Sequence, residues 1–302
     1  MRNANPFFHL FESLWMLGGR NDLAWVAQFN KQMKVYSDDG GDTQPAAYGH
    51  RWRSHFGHDQ LDAIVEELKV NPGSRRCVLG MWDPWFIHTY GDGADKVHHF
   101  GDLEKASQGS ADVPCNTQCF FTLRDGKLHM TVTCRSNDAL WGAHGANAVH
   151  FSILLEYMAA RLGVAVGDMF QYSWNYHIYD GILKAPPQRV MEDLWGTDLY
   201  SGRVNPTLPT PLFCADVDVF DTELPKWLDW AAPIEDTRNR RAAPDAHAFL
   251  RGTATPMLRA WDAYKRADLR MACAICNDIE GDDWKVAARE WMLRKFNKYT
   301  GV

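Results

Sequence analysis

The sequence predicts an α+β fold in which a β-rich centre lies between helical segments. Within residues 112–147, two runs of alternating apolar and polar residues flank Asp125-Gly126, a dipeptide typical of a tight hairpin turn. Apolar residues recur at helical spacing in residues 59–69 and 148–162, so each segment predicts a helix with one core-facing side. The hairpin and the helices together predict a mixed architecture.

The other elements are predicted from start and stop signals and from periodicity. Residues 5–17 predict a buried helix that begins near Pro6 and ends at Gly18-Gly19. Residues 22–35 predict a second, amphipathic helix. The remaining predicted elements are a loop at 37–45, strands at 168–179 and 212–220, and C-terminal helices that include 283–299.

Residues 82–113 form a long polar segment between two β-rich runs, and its composition predicts an exposed insertion. It contains three histidines, His88, His98 and His99, but their spacing lacks a second compact pair of ligands. We therefore expect no metal site.

Composition and charge exclude several classes of function. The 302 residues are 46% hydrophobic, which suffices for the core of one large domain. A net charge of −6 provides no basic field for nucleic acid, so an anionic ligand has to be bound by local arginines. Seven cysteines without a signal peptide fit a reducing cytoplasm, and no apolar run reaches the roughly 18 residues of a membrane span. We expect a cytoplasmic protein with a small ligand.

Cys115 is the candidate nucleophile. It follows Pro114 at the start of the hairpin, and the far end of the hairpin carries Arg135, Ser136 and Asp138. An arginine beside a thiol lowers the pKa of the thiol and can hold an anionic substrate next to the sulfur. A lone strand cysteine is ordinarily a small buried hydrophobe, which is our interpretation of Cys77, Cys119 and Cys134.

Three further charged residues lie at informative positions. Glu12 is surrounded by apolar residues, so it either occupies the single polar face of its helix or is a desolvated carboxylate suited to proton transfer.

Arg75 and Arg76 precede a β-rich run. Such arginines are ordinarily solvated, yet paired guanidinium groups also suit a phosphate dianion because each can donate two parallel hydrogen bonds.

The chain resembles the thymidylate synthase family, including its pyrimidine-nucleotide hydroxymethylases. The motifs that carry the resemblance are Glu12-Ser13-Leu14-Trp15, Tyr48-Gly49-His50-Arg51-Trp52-Arg53, Ser74-Arg75-Arg76, Pro114-Cys115, Arg135-Ser136-Asn137-Asp138, Asn147 and His177-Ile178-Tyr179. The resemblance implies a large mixed β-sheet with packed helices and an extra helical C-terminal region. We expect residues 1–180 to form the catalytic core, and residues 181–302 to complete the same domain and add a divergent helical extension.

The resemblance implies that Cys115, Glu12, Arg135 and Tyr48 are catalytic. The Cys115 thiolate, activated by Arg135, adds to C6 of a pyrimidine ring, and C5 then attacks the one-carbon unit of 5,10-methylenetetrahydrofolate. Glu12 manages the protons. The expected product class is a pyrimidine nucleoside monophosphate substituted at C5.

The resemblance also implies how the nucleotide phosphate is held. Arg135 and Ser136 bind it from the same subunit, whereas Arg75 and Arg76 reach it across the interface of a homodimer. The expected partners are therefore a pyrimidine nucleotide, a folate and a second copy of the chain, with neither membrane nor nucleic acid.

The remaining site residues are implied by the same resemblance. His177 and Tyr179 bind the sugar 3′-hydroxyl, and Asp138 holds the pterin of the folate. Asn147 reads the uracil base if the preceding loop is one residue longer than usual. The same asparagine would also make an ordinary helix N-cap.

Three features depart from the family: the first tunes the site without removing the nucleophile, and the other two bear on the product. Asn116 follows the nucleophile where the synthases commonly have histidine. Lys34, on the folate side, replaces a tryptophan that shields the intermediate, and the chain ends in a helix with only Thr300, Gly301 and Val302 beyond it. Weaker shielding admits water.

The sequence therefore favours hydroxymethylation of dUMP to 5-hydroxymethyl-dUMP. Reductive methylation of dUMP and hydroxymethylation of dCMP or CMP are alternatives, as is an inactive nucleotide- or RNA-binding relative. We expect a cytoplasmic enzyme, in the host cytoplasm if a phage encodes it.

Overall fold

The computed structural model describes residues 4–84, 86–90, 95–99, 101–179, 216–244 and 246–300. The described chain divides into two compact units. We call the part within Trp15–Asn137 and His150–His177 the sheet unit. The described residues within Met1–Leu14, Asp138–Val149 and Ile178–Val302 form the helical unit.

The sheet unit is built on four strands in the order β1-β4-β5-β6. These strands are β1 (Val78–Gly80), β4 (Asn116–Arg124), β5 (Lys127–Asp138) and β6 (Ala165–His177). Antiparallel pairing joins β1 to β4 and β4 to β5. Ala165 donates to Gly126 O and Asp168 to His129 Nδ1, so β6 begins beside the start of β5 and runs parallel to it. The sheet is mixed, and the predicted α+β fold is confirmed.

The turn of the central hairpin has the conformation that its residues favour. Asp125 and Gly126 have φ values of 49° and 72°, which are the left-handed values of a two-residue turn that matches the twist of the strands. Such a turn fixes the strand register. The predicted hairpin is confirmed.

The predicted helices at 59–69 and 148–162 are confirmed as α4 (Gln60–Val70) and α6 (Ala146–Leu162). Helix α4 begins at a side-chain cap, because Asp59 accepts hydrogen bonds from the backbone of Leu61 and Asp62. Its buried face contains Leu61, Ile64, Val65 and Leu68. Helix α6 connects β5 to β6.

The single helix predicted at residues 22–35 is wrong. The structure has α2 (Leu23–Ala27), followed by a 3₁₀ helix at Lys31–Tyr36. Asn30 interrupts the helix with an extended backbone, at φ −149°, and its side chain accepts from Gln32 N. Asparagine competes with helix continuation by capping a new turn in this way.

The exposed insertion predicted at residues 82–113 is also wrong in part. The segment forms a hairpin of β2 (Phe86–Tyr90) and β3 (Asp95–His99), and then α5 (Asp102–Ser107). Three of its carboxylates, on Asp83, Asp102 and Asp112, are buried, because each finds a hydrogen-bond partner inside the sheet unit. Of the three histidines in this segment, His88 lies on β2, and His98 and His99 lie on β3.

The helical unit packs around aromatic side chains. In α1 (Pro6–Leu17), which confirms the helix predicted at 5–17, Phe7 lies 5.6 Å from Trp261 and 5.5 Å from Trp291. Phe11 stacks on Trp227. The other helices of eight or more residues described in this unit are α7 (Val217–Trp230), α8 (Thr255–Lys265) and α10 (Asp282–Thr300), with the shorter α9 (Leu269–Ile275) between the last two.

The strand predicted at 212–220 is wrong for its last four residues, which belong to α7; residues 212–215 lie outside the described residues. The alternation of apolar and polar residues up to residue 220 is too short to distinguish a strand from a helix. The helical spacing of the buried residues is apparent only when residues 220–228 are included. Phe220, Leu224, Trp227 and Leu228 are buried at spacings of four, three and one. No helix of the described chain is long and apolar enough to cross a membrane.

Candidate active site

Cys115 lies one residue before β4, half-buried, at the open end of the hairpin. Its carbonyl oxygen accepts a hydrogen bond of 2.9 Å from Arg135 N. This bond continues the pairing of β4 with β5 past the Asn116–Cys134 pair. The hairpin register therefore brings the thiol and the arginine together.

The Arg135 guanidinium is held in a defined orientation. Nε donates to Pro114 O at 3.0 Å, and Nη2 donates to Val113 O at 3.1 Å. The carbon at the centre of the group lies 5.6 Å from the ring centroid of Trp82. Nη1 has no hydrogen bond to the described part of the chain, so it is available to an anionic ligand.

Burial and charge act in opposite directions on the Cys115 thiol. Burial raises the pKa of Cys115 above its usual value, and the positive charge of Arg135 lowers it. Burial also raises the pKa of the adjacent Cys134, to about 11, and there no arginine offsets the effect. Cys115 is the thiol of this hairpin with a cation beside it, as a nucleophile requires.

Tyr48 lies close to the nucleophile. Its hydroxyl oxygen accepts a hydrogen bond of 3.3 Å from Asn116 N, and its ring stacks on Phe151. Tyr48 begins α3 (Tyr48–Arg53), whose next residue, Gly49, packs so closely against the backbone of Met16 that a Cβ there would overlap it. The helix therefore fixes Tyr48 next to residues 115 and 116.

Asn116 is completely buried at a bulge in β4. Its Nδ2 donates to Gln118 O at 3.2 Å and to Thr133 O at 2.8 Å. The side chain thus satisfies backbone carbonyls of the bulge. The residue that departs from the family's histidine holds the strands beside Cys115 together.

In the helical unit, Asp138 caps a π-helical turn at Ala139–Ala143. Its Oδ1 accepts hydrogen bonds from the backbone of Leu140 and Trp141. Its Oδ2 is buried and has no hydrogen-bond partner among the described residues. A buried carboxylate oxygen of this kind suits a ligand with N–H donors.

Glu12 is 9% exposed on α1, so the alternative that it occupies a solvated face is wrong. Asn147 is the second residue of α6, which begins at Ala146, so its alternative role as N-cap is also wrong.

The two residues expected to bind the sugar lie at the end of β6. Tyr179 lies beyond the end of this strand and is 58% exposed. His177 is the last residue of β6, and its Nδ1 lies 3.3 Å from Asn175 O.

The predicted phosphate-binding residues differ in position. Arg75 and Arg76 are exposed on the segment between α4 and β1, whereas Ser136 is half-buried on β5 next to Arg135. Lys34 is exposed on the 3₁₀ helix, and its aliphatic carbons lie against Gly41.

One broad apolar surface lies on β6. From residue 170 onward, every second side chain of this strand is aromatic and more than half exposed: Phe170, Tyr172, Trp174 and Tyr176. Because side chains alternate along a strand, all four are on the same face of the sheet.

A sequence model of one family, described as thymidylate synthase, matches residues 7–193. The chain is also 41% identical over 309 aligned residues to a deoxyuridylate hydroxymethyltransferase of Pseudomonas phage M6, covering 97% of this chain and 78% of the relative. The chain belongs to the thymidylate synthase family. The family resemblance drawn from the motifs is thereby confirmed.

Two further proteins are similar to parts of this chain. A deoxyuridylate hydroxymethyltransferase of Bacillus phage SP01 is 36% identical over 208 residues, covering 66% of this chain and 50% of that protein. The crystal structure of thymidylate synthase from T4 phage aligns with 60% of this chain and 64% of its own, at 21% identity and a TM-score of 0.46.

Sequence reasoning missed Trp82, although its ring lies against Arg135. The residue stands at the start of the segment that was predicted to be an exposed insertion. No local signal separates it from a surface tryptophan, because its neighbour is 53 positions away and reaches it only through the pairing of β1, β4 and β5. Within the described chain, no group of three or more histidine, cysteine and acidic side chains could hold a metal ion.

Proposed function

We propose that this member of the thymidylate synthase family converts dUMP to 5-hydroxymethyl-dUMP with 5,10-methylenetetrahydrofolate as co-substrate. The observation that carries the proposal is the Cys115 thiol beside the oriented Arg135 guanidinium. Similarity along nearly the whole chain to a phage protein named for deoxyuridylate hydroxymethylation supports the choice of substrate and product.

The first step uses Cys115 and Arg135. The thiolate sulfur bonds to C6 of the uracil ring, and the C5–C6 π electrons move to C5 and O4. Burial alone keeps the thiol protonated, so the charge of Arg135 favours the reactive form. The same guanidinium, through its remaining Nη1 donors, and the Ser136 hydroxyl bind the nucleotide phosphate.

Asp138 orients the folate. The buried Oδ2 fits the N–H donors of a pterin ring, and the backbone donors of Leu140 and Trp141 hold the carboxylate in place. When bound, the folate supplies the one-carbon unit that C5 acquires.

Glu12 handles protons on the ring. A carboxylate that is 9% exposed on a helix of mostly apolar residues is partly desolvated, which suits a group that alternately accepts and donates a proton. We assign it removal of the C5 proton: the electron pair of the C5–H bond then forms the double bond to the transferred carbon, the bond from that carbon to the folate nitrogen breaks, and tetrahydrofolate leaves an exocyclic methylene on the pyrimidine. Tyr48 supports the backbone at residue 116, next to the sulfur that forms the bond.

Water completes the reaction. Its oxygen bonds to the exocyclic methylene, one proton leaves the water, the electron pair returns to the ring, and the C6–S bond breaks to release the Cys115 thiolate. Lys34 supports this outcome because an exposed ammonium group carries water where a tryptophan would exclude it.

Asn147 selects uracil over cytosine. Its amide can accept from the uracil N3–H and donate to O4, and it lies in the first turn of α6, where the helix restrains its position. His177 and Tyr179 bind the sugar 3′-hydroxyl.

The protein acts as a homodimer. A row of four aromatic side chains more than half exposed on β6 exceeds what a monomer ordinarily leaves in water, and a second copy can cover it isologously. In that dimer the exposed Arg75 and Arg76 bind the phosphate held by the partner. The reaction takes place in the cytoplasm, or in the host cytoplasm if a phage encodes the chain.

The test is an assay of product and folate together. The protein is incubated with 5,10-methylenetetrahydrofolate and, separately, dUMP, UMP, dCMP or CMP, and the nucleotide is analysed by mass spectrometry. We expect 5-hydroxymethyl-dUMP and tetrahydrofolate. dTMP with stoichiometric dihydrofolate would show reductive methylation instead, and unchanged nucleotide in every arm would indicate an inactive relative.

A further inference from the structure

We propose that Trp82 is a positioning residue that holds the Arg135 guanidinium beside Cys115. This inference concerns the site of the proposed function, but its test uses the free protein without nucleotide or folate. The ring lies 5.6 Å from the guanidinium carbon, a distance at which a cation is attracted to an aromatic face.

The backbone around Trp82 is clamped on both sides by one buried ion pair. Arg51 Nη1 donates to Met81 O at 3.2 Å, and Asp83 N donates to Asp102 Oδ2 at 2.7 Å. Arg51 and Asp102 bond to each other, and their side chains are each 1% exposed. Trp82 therefore stands on a rigid support rather than on a mobile surface loop.

The sheet also restrains the residue before Trp82. Met81 N donates to Thr117 O at 3.0 Å, which extends the pairing of β1 with β4 past Gly80. Thr117 lies two residues after Cys115. The tryptophan and the nucleophile are thus placed by the same pair of strands.

Arg135 needs this support because its side chain reaches solvent and is long and flexible. The carbonyls of Val113 and Pro114 fix two of its nitrogens, but both bonds are made to one short segment of backbone. The Trp82 ring adds a contact to the guanidinium from a different segment of the chain, two residues beyond the end of β1. Together these contacts leave Nη1 as the nitrogen free to meet a ligand.

The position of the Arg135 guanidinium affects the pKa of the Cys115 thiol. Arg135 and Cys134, both on β5, are the charged or titratable groups that interact electrostatically with the Cys115 thiol, and the Tyr48 hydroxyl on α3 contacts the backbone of the next residue, Asn116. Of these, Arg135 is the cation that favours the thiolate. A guanidinium that moves away when the ring is lost leaves the thiol with burial alone, and its pKa rises.

The test measures the rate of alkylation of Cys115 by iodoacetamide against pH, followed by mass spectrometry of the peptide that contains this residue. Trp82→Leu removes the ring and keeps an apolar side chain, and Trp82→Met is a second ring-free variant in case the first fails to fold. Trp82→Phe is the matched control that keeps an aromatic face. Far-ultraviolet circular dichroism verifies that each variant is folded.

We expect the midpoint pH to rise by about half a unit in the ring-free variants, so that alkylation below the midpoint slows about threefold. Trp82→Phe should recover most of that shift. In an Arg135→Met background, removal of the ring should cause no additional shift, because the ring acts through the arginine.

An unchanged midpoint in both ring-free variants would overturn the proposal. So would an equal shift with and without Arg135, since the ring would then act directly on the thiol or through general packing. The outcome is independent of the proposed reaction: if the parent chain leaves dUMP unchanged but the midpoint shifts as stated, only the proposed function fails.

Discussion

Arg51 and Asp102 form a bidentate ion pair in the interior of the sheet unit. Nη2 lies 2.7 Å from Oδ1, Nη1 lies 3.0 Å from Oδ2, and 1% of each side chain is exposed. Arg51 Nε also donates to Pro45 O, so every nitrogen of the guanidinium is hydrogen-bonded. Full satisfaction of this kind is what makes a buried charge pair tolerable.

Removal of one partner of this pair should be severely destabilising. We expect Asp102→Asn to lower the free energy of unfolding by about 3 to 5 kcal/mol, because the Arg51 charge stays buried without its counter-charge. The matched control is Glu290→Gln in the exposed Glu290–Arg294 pair, which should cost less than about 1 kcal/mol. Urea midpoints of the three proteins measure both effects, and equal midpoints for parent and Asp102→Asn would contradict the interpretation.

Asp112 should make stability depend on pH. Burial raises its pKa from 3.8 to about 6, although both carboxylate oxygens accept from Ala46 N. Because the folded pKa lies above the unfolded value, the protonated group stabilises the fold below about pH 4, and this contribution is lost as the pH rises through about 6.

The measurement compares urea midpoints of the parent chain and Asp112→Asn at about pH 4 and about pH 7. The stability difference between the two proteins should change by up to about 3 kcal/mol across this range, with the parent losing more as the pH rises. A difference that stays constant, or changes in the opposite direction, would show that Asp112 does not titrate as described.

Cys115→Ser should abolish turnover and preserve binding of dUMP. Serine is nearly isosteric, but its hydroxyl is a far poorer nucleophile at neutral pH. The control is Cys273→Ser, which alters another half-buried thiol, in the helical unit, and should retain parental activity. Release of tritium from C5-labelled dUMP reports the early steps, and parental release by Cys115→Ser would remove Cys115 from the mechanism.

Two inactive variants should complement each other if the phosphate is bound across a dimer. We expect Arg75→Ala and Cys115→Ser each to be inactive alone. Mixed under subunit exchange, they should regain up to about a quarter of parental activity, because half of the dimers are mixed and each of these has one intact site. Mass spectrometry of native dimers verifies exchange. Mixed dimers without activity would place the arginines in the same subunit as the nucleophile.

The sequence predicted the parts of the fold that depend on local pattern. The dipeptide Asp125-Gly126 predicted the position of the hairpin turn. The turn and the alternation of the two strands fix their register, which places Arg135 opposite Cys115. Helices with long apolar faces, such as α4 and α6, were predicted nearly to their ends.

The failures depend on contacts between distant residues or on a side chain that competes with helical structure. The polar composition around Asp83 and Asp102 indicated exposure, but Arg51 lies 51 positions before Asp102 and compensates its charge inside the fold. Asn30, with its extended backbone, caps the 3₁₀ helix that follows α2, so two separate helices replace the single one that periodicity alone predicted. Trp82 was missed because its functional neighbour is reached only across two strand pairings.

The source of the oxygen in the product tests the central claim most directly. The parent chain is incubated with dUMP and 5,10-methylenetetrahydrofolate in water enriched in heavy oxygen, with Cys115→Ser as the blank, and the nucleotide is analysed by mass spectrometry. The account predicts 5-hydroxymethyl-dUMP that carries the heavy oxygen in its new hydroxyl group, with no product from the blank. A methylated nucleotide, a hydroxymethyl group without the label, or equal product from Cys115→Ser would contradict it.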